Sequence, residues 1–264
     1  MGRIRERFAQ LAERGETALI PFITIGDPDI ETSYALVLSM AEAGADLIEL
    51  GVPFSDPIAE GPTIQRSSER ALASGTSLNA ILELVSRLRP NLEIPLVLMG
   101  YANPIFAMGD ERFPKLAGEV GVDGIIVPDL PPEEGADLYG RCNAVGIDGI
   151  LLAAPTTTPE RLAMLADRSR GFLYYVSLTG VTGARSEIAA GVEDGVRAAQ
   201  QSGSIPVCVG FGISTPEQAA EVAGYADGVV VGSAVINLIE AASSRDGAVD
   251  SVAKFVAELK APLR

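Results

Sequence analysis

This sequence predicts an α/β fold, one closed (βα)8 barrel of the TIM type spanning residues 1–264, and three observations carry that expectation. Short Val/Ile/Leu-rich segments lie at 18–25, 46–51, 95–100, 124–128, 149–153, 172–177, 206–210 and 228–231, each followed by a helical pattern. They lack strict polar alternation, as parallel strands buried on both faces do. A weak repeat recurs in A-G-A-D-L-I-E-L, V-G-V-D-G-I-I-V, V-G-I-D-G-I-L-L and A-G-Y-A-D-G-V-V-V. In each, Gly is expected to end the preceding helix in a left-handed cap, and Asp to begin the turn into the strand. Finally, 264 residues without a linker or composition break fit one barrel of about 250 residues. An open doubly wound sheet is the alternative arrangement of the same segments.

The elements follow in order. M-G-R-I-R-E-R-F-A-Q-L-A-E-R-G reads as an extra, amphipathic N-terminal helix and not as a signal peptide. The first strand runs into Gly26-Asp27. The second carries Glu49 near its end and continues as G-V-P-F-S-D-P-I-A-E-G-P-T-I-Q. Two helical patterns, 63–73 and 78–88, separate the second and third strands, so one is additional to the minimal unit. Y-A-N-P-I-F follows the third strand and P-D-L-P-P-E-E the fourth. S-L-T-G-V-T-G-A follows the sixth. G-F-G-I-S-T-P-E follows the seventh, with Ser214 to Glu217 as a capping box and Pro216 as an early helix residue. Gly232-Ser233 opens the last helical stretch. Barrel active sites lie on the loops at strand C-terminal ends. Asp46, Asp123, Asp148 and Asp227 belong to the opposite end and read as structural.

Composition narrows the chemistry. Lys and Arg number 20 against 35 Asp and Glu, a net charge of −15. That argues against nucleic acid or an anionic membrane as partner. An anionic substrate must then be held by backbone amides and helix N-termini. The chain has no histidine, so carboxylates must do most acid–base work near neutral pH. Lysine occurs only at Lys115, Lys254 and Lys260, none at a strand C-terminus, which disfavours a Schiff-base aldolase. Lack of His leaves a zinc site poorly supported, and no metal is expected. Cys142 and Cys208 form no C-x-x-C pair and read as small apolar packing residues. No apolar run approaches about 18 residues, and a soluble cytoplasmic protein is expected.

Glu49 enters a strand end amid Leu, Ile and Val, where an unpartnered carboxylate is costly or shifts its pKa upward. It is either a catalytic acid–base or a hydrogen-bonded structural group. Asp56 and Glu60 follow on the loop, as candidate functional carboxylates or as a turn stabiliser and a solvated charge. Glycine-bearing loops follow strands six, seven and eight, at Gly180–Gly183, Gly210–Gly212 and Gly232. They make tight turns or, on neighbouring strands, a phosphate cradle. Phe22, Tyr101, Tyr174 and Phe211 lie near strand ends, as core or as a flat apolar pocket. Phe54, Ile58, Ile105, Phe106 and Met108 are expected as exposed apolar groups around the mouth.

Together, P-F-I-T-I-G-D-P, E-L-G-V-P-F-S-D-P, Y-A-N-P, V-P-D-L-P, G-V-T-G-A, G-F-G-I and V-V-G-S-A resemble the alpha subunit family of tryptophan synthase over essentially the whole length. The resemblance implies a (βα)8 barrel that cleaves indole-3-glycerol phosphate to indole and glyceraldehyde 3-phosphate. It implies a beta subunit as partner, in an α2β2 assembly, with pyridoxal phosphate there and no cofactor in this subunit. It makes Glu49 the acid–base glutamate and position 60 the second catalytic carboxylate; the family's residue there is aspartate, and this chain has Glu60. Tyr174 matches a tyrosine near the catalytic glutamate. Gly183, Gly212, Gly232 and Ser233 match phosphate contacts, and Phe22, Tyr101, Thr182 and Phe211 match pocket or loop positions. Asp56 and Asn103-Pro104 match loops facing the beta subunit. The segment 179–185 is expected to close over bound phosphate. A stand-alone lyase releasing indole and a catalytically weakened activator of a beta subunit are the two rivals.

Overall fold

The computed structural model describes residues 2–58, 60–176, 191–210 and 212–264. Eight parallel strands close in sequence order: β1 (Ala18–Thr24), β2 (Ile48–Gly51), β3 (Leu96–Met99), β4 (Gly124–Ile126), β5 (Asp148–Ala153), β6 (Leu173–Val176), β7 (Val207–Gly210) and β8 (Gly228–Val231). The seam is a parallel pairing of Ala18 to Pro21 with Gly228 to Val231. Nearly every strand residue is buried, which is why the segments carry no polar alternation. The doubly wound alternative is excluded by this closure.

Helix α1 (Arg3–Arg14) precedes the barrel, and α2 (Ile30–Glu42) follows β1. Both α3 (Pro62–Ala73) and α4 (Leu78–Leu88) follow β2, as the two periodic patterns predict. The third connection holds a surprise, a short α5 (Ala102–Met108) before α6 (Arg112–Val120). Asn103 and Pro104 therefore lie in a first helical turn and not in an open loop; Pro is tolerated there because its missing N–H has no helical partner. The remaining helices are α7 (Ala136–Ala144), α8 (Pro159–Arg168), α9 (Val192–Ser202), α10 (Pro216–Ala223), α11 (Ser233–Ala241) and α12 (Arg245–Lys260). No helix among the described residues is long and apolar enough to cross a membrane.

Three of the four repeat glycines, Gly44, Gly121 and Gly146, have φ of 109°, 90° and 85°. Gly224 does not: its φ of −66° continues the right-handed turn. This repeat has one extra residue between Gly and Asp, so the chain reverses later and the glycine's freedom goes unused. At α10 the cap also differs from expectation. Thr215, not Ser214, is the N-cap and accepts from Gln218 N at 3.3 Å. Gln218 Oε1 in turn accepts from Ser214 N at 2.8 Å, so the reciprocal partner is Gln218 and not Glu217.

The repeat aspartates clip strands together at the N-terminal end. Asp46 Oδ2 accepts from Leu19 N at 2.7 Å, Asp123 Oδ2 from Leu96 N at 2.9 Å, and Asp227 Oδ2 from Val207 N at 2.8 Å. Each reaches from its own strand entry to the strand before it. Asp148 departs from this pattern. The Ser169 hydroxyl makes the nearby bond, accepting from Leu151 N at 3.0 Å. The Asp148 carboxyl is pushed up to about 6 by burial and by the charge of Asp123.

Helix α1 caps this end. Ile4, Phe8 and Leu11 are buried, and Phe8 packs on Phe172 at 5.9 Å between ring centroids. Its basic side chains meet the clips: Arg3 pairs with Asp123 at 2.8 Å and Arg7 with Asp46 at 3.0 Å. Asp123 also holds Arg89, which is only 11% exposed, at 2.8 Å. Asp123→Ala is expected to cost about 3–5 kcal/mol, because it strands the Arg89 charge in the interior. Asp227→Ala, at an exposed site, should cost about 1 kcal/mol. Urea unfolding of both checks this, and equal losses would contradict it. Cys142 and Cys208 are free and buried, with the Cys142 thiol pushed up to about 12 by burial. They pack as small apolar side chains.

Candidate active site

Glu49 is the second residue of β2, beside Phe22 on β1 and Val97 on β3. It is 1% exposed, and its Oε1 has no hydrogen-bond partner among the described residues. Burial pushes the carboxyl up to about 8, so it is protonated at neutral pH. Tyr174 on β6 is buried too, and its phenol is raised by burial and by the charge of Glu49. The two groups therefore share the barrel interior. A side chain at Gly210 would place Cβ 2.1 Å from Tyr174 Oη. Gly210 thus admits the tyrosine, a role the loop pattern did not disclose.

Phe22 lies over two glycines from neighbouring connections. A Cβ at Gly51 would come within 2.5 Å of its Cζ, and one at Gly232 within 3.5 Å of its Cδ1. The ring therefore spans the mouth between the ends of β2 and β8.

Glu60 directly precedes the N-cap of α3, Gly61, with Pro62 as the first helical residue. Its backbone carbonyl accepts from Gln65 Nε2 at 2.8 Å, which ties the loop to the helix. Its side chain accepts from Tyr101 Oη at 2.9 Å. Burial pushes the carboxyl up to about 7, opposed by the Tyr101 bond and reinforced by the charge of Asp129. Tyr101 is buried at the end of β3 and packs on Phe54 at 5.1 Å. Asp129, from P-D-L-P, accepts from Ala102 N at 2.9 Å and so anchors the start of α5. Sequence reasoning missed that role, because the contact joins consecutive βα connections.

Gly212 has a φ of 84°, while Gly232 and Ser233 form the N-cap and first residue of α11. These backbone groups follow the C-terminal ends of β7 and β8, and Gly232 stands beside Phe22. Thr182, Gly183, Phe211 and the segment 179–185 lie outside the described residues.

On the rim, Asp56 is exposed and accepts from Ser55 Oγ, the turn contact foreseen for it. Asn103 is exposed and Pro104 half-buried. Of the apolar rim, Ile58 is 81% and Phe106 49% exposed. Ile105 is buried, contrary to expectation, since it forms the inward side of α5. Phe54 and Met108 are half-buried. Among the described residues, no group of three or more His, Cys, Asp and Glu side chains could hold a metal ion. The arrangement offers a proton donor, a second carboxylate held by a phenol, and an aromatic wall, with helix-start amides alongside.

A family model described as "Tryptophan synthase alpha chain" matches residues 8–264. The tryptophan synthase alpha chain of Geobacter sp. strain M21 is 56% identical over 260 residues, covering 98% of this chain and 97% of the relative. The crystal structure of tryptophan synthase subunit alpha from Legionella pneumophila str. Paris has a TM-score of 0.92 at 38% identity, covering 100% of this chain and 98% of that one. A tryptophan synthase complex from Pyrococcus furiosus gives a TM-score of 0.86 at 40% identity, covering 92% of this chain and 98% of that chain.

Proposed function

The chain belongs to the tryptophan synthase alpha chain family, and on that premise we propose that Glu49 and Glu60 divide the work of a carbon–carbon lyase. The reaction is cleavage of indole-3-glycerol phosphate to indole and glyceraldehyde 3-phosphate. The observation that carries the assignment is the buried carboxyl of Glu49, protonated at neutral pH beside an aromatic wall at the barrel mouth. Residues 1–264 act as one catalytic domain.

Glu49 gives its proton to indole C3. The resulting carboxylate then takes the proton of the adjacent glycerol hydroxyl. The carbon–carbon bond breaks, its electron pair returns to the ring, and an aldehyde is left on the departing fragment. Glu49 ends as it began, protonated. Glu60, ionised, accepts the indole N–H and stabilises the positive charge that the ring carries after C3 protonation. Phe22, Tyr101, Tyr174 and Phe211 line the ring's pocket. The phosphate sits on amides of Gly183, Gly212, Gly232 and Ser233. Pyridoxal phosphate belongs to the beta subunit, and this chain needs no cofactor of its own for these steps. A cytoplasmic location goes with this reading.

This division requires Glu49 protonated and Glu60 ionised. The value of kcat/KM should rise through about pH 7 and fall through about pH 8. The Tyr101 bond favours the ionised form of Glu60, so Tyr101→Phe should move the rising limb to higher pH. A limb that stays in place would separate Glu60 from the titration.

The beta subunit docks on the rim that carries Asp56, Asn103, Pro104 and the exposed Ile58 and Phe106. Indole passes to it for joining to serine. Docking there would fix the loop that ends in Glu60. A beta-subunit titration of the cleavage rate tests this: the isolated chain should be a weak lyase and turnover should rise to saturation. Full activity alone, unchanged by beta, would make the chain a stand-alone lyase.

A further inference from the structure

Helix α3 carries Ser67, Arg70 and Ser74 at intervals of three and four residues, along one face and its C-cap. All three reach the end of β1. Ser67 Oγ lies 2.6 Å from Thr24 Oγ1, and Ser74 Oγ donates to the Gly26 carbonyl at 3.0 Å. Between them the Arg70 guanidinium makes a two-bond fork to Asp27, 2.7 Å for each bond, and Asp27 is 1% exposed. The remaining nitrogen of Arg70 donates to Glu240 on α11 at 2.8 Å. Glu240 is also held by a second fork, from Arg66 one turn earlier on α3, at 2.9 and 2.8 Å.

One guanidinium therefore ties together the β1 end, α3 and α11. The first turn of α3 continues directly from Glu60, and α11 begins at Ser233. A buried ion pair is a poor source of net stability compared with apolar packing. A planar fork is, however, a stiff spacer that fixes both distance and angle. We infer that Arg70, held by Asp27 and Glu240, is a positioning residue for Glu60: it sets α3 against α11 and so fixes the Glu60 carboxylate relative to the phosphate end of the substrate. This rests on the roles proposed above for Glu60 and Ser233.

The test is steady-state cleavage of indole-3-glycerol phosphate by the full chain saturated with beta subunit, together with binding of inorganic phosphate. Arg70→Lys keeps the charge but cannot serve Asp27 and Glu240 with fixed geometry. It should lower kcat by about tenfold or more, as a small misplacement of a reacting group does. The KM and the phosphate Kd should stay within about twofold of the parent. Glu240→Gln, on the outer side of the network, should change kcat in the same direction. Arg87→Lys is the control: it disrupts a comparable fork, to Glu31 at 2.7 and 2.9 Å, on the outside of the barrel and should leave kcat unchanged.

Parental kcat in Arg70→Lys and Glu240→Gln overturns the inference, as does a phosphate Kd that worsens in step with kcat. If Arg70→Lys fails to fold by circular dichroism, Glu240→Gln decides alone. Glu60→Ala is measured beside them. Parental cleavage there removes the role given to Glu60 itself. An impaired Glu60→Ala with an intact Arg70→Lys removes only the positioning role.

Discussion

Glu49→Gln is expected to stop cleavage of indole-3-glycerol phosphate while leaving its binding nearly intact. Glutamine keeps the shape and the hydrogen-bonding capacity of the protonated acid but carries no transferable proton. The loss should be at least the 10²–10⁴-fold, in order of magnitude, that a positioned acid–base contributes. The same substitution carries a stability signature. In the folded chain the Glu49 carboxyl keeps its proton up to about 8, whereas its ordinary value is 4.5. The parent's stability is therefore intact below about 4.5, falls as pH rises, and levels off above about 8. The glutamine variant suffers no such fall, so the difference should shift toward it by a few kcal/mol over that window. Urea unfolding at pH 5 and pH 8 reads it. Parent-like turnover would remove Glu49 from the chemistry, and a pH-independent difference would place the proton elsewhere.

Glu60→Ala should be the next most damaging change, with a fall in kcat of about 10²–10³, comparable to the loss of one preorganised electrostatic partner. Glu60→Asn should be similarly impaired, since it loses the charge. Glu60→Asp should keep substantial activity, because the carboxylate is retained and Tyr101 Oη stands 2.9 Å from the present one. Single-turnover cleavage with beta subunit present measures all three. If Glu60→Ala cleaves as fast as the parent, the carboxylate is a bystander. The reading of the chain as an activator of its partner would then gain.

The strands and the extra helix at Leu78–Leu88 were legible because apolar periodicity is a local property. Glu49 was legible for the same reason: a charge in an apolar strand end is conspicuous without any partner. What escaped depends on contacts between distant segments. Helix α5 hid in Y-A-N-P-I-F because its start is fixed by Asp129, on the next connection. Gly210 resembled a turn residue, although what it answers to is the phenol of Tyr174 on β6. The pairing of Glu60 with Tyr101 and the fork from Arg70 to Asp27 likewise join different connections, and no periodicity marks them. At Gly224, one added residue was enough to change the cap the repeat implied.

Asp46 has a consequence for the order in which the chain is made. Its carboxylate holds the β1 amide of Leu19, Arg7 of α1, and Lys260 Nζ at 2.8 Å. Lys260 also donates to the Thr17 carbonyl at 3.2 Å, and Thr17 N reaches Leu263 O at 2.9 Å. The first of these partners leave the ribosome early, and the last only after every strand has been synthesised. Until Lys260 arrives, Asp46 has Arg7 but not the lysine, and Thr17 lacks its Leu263 partner, so the seam between β1 and β8 is secured last. Released chains truncated after β8 but before residue 260 should remain protease-sensitive around β1, and chains that run through residue 263 should be protected.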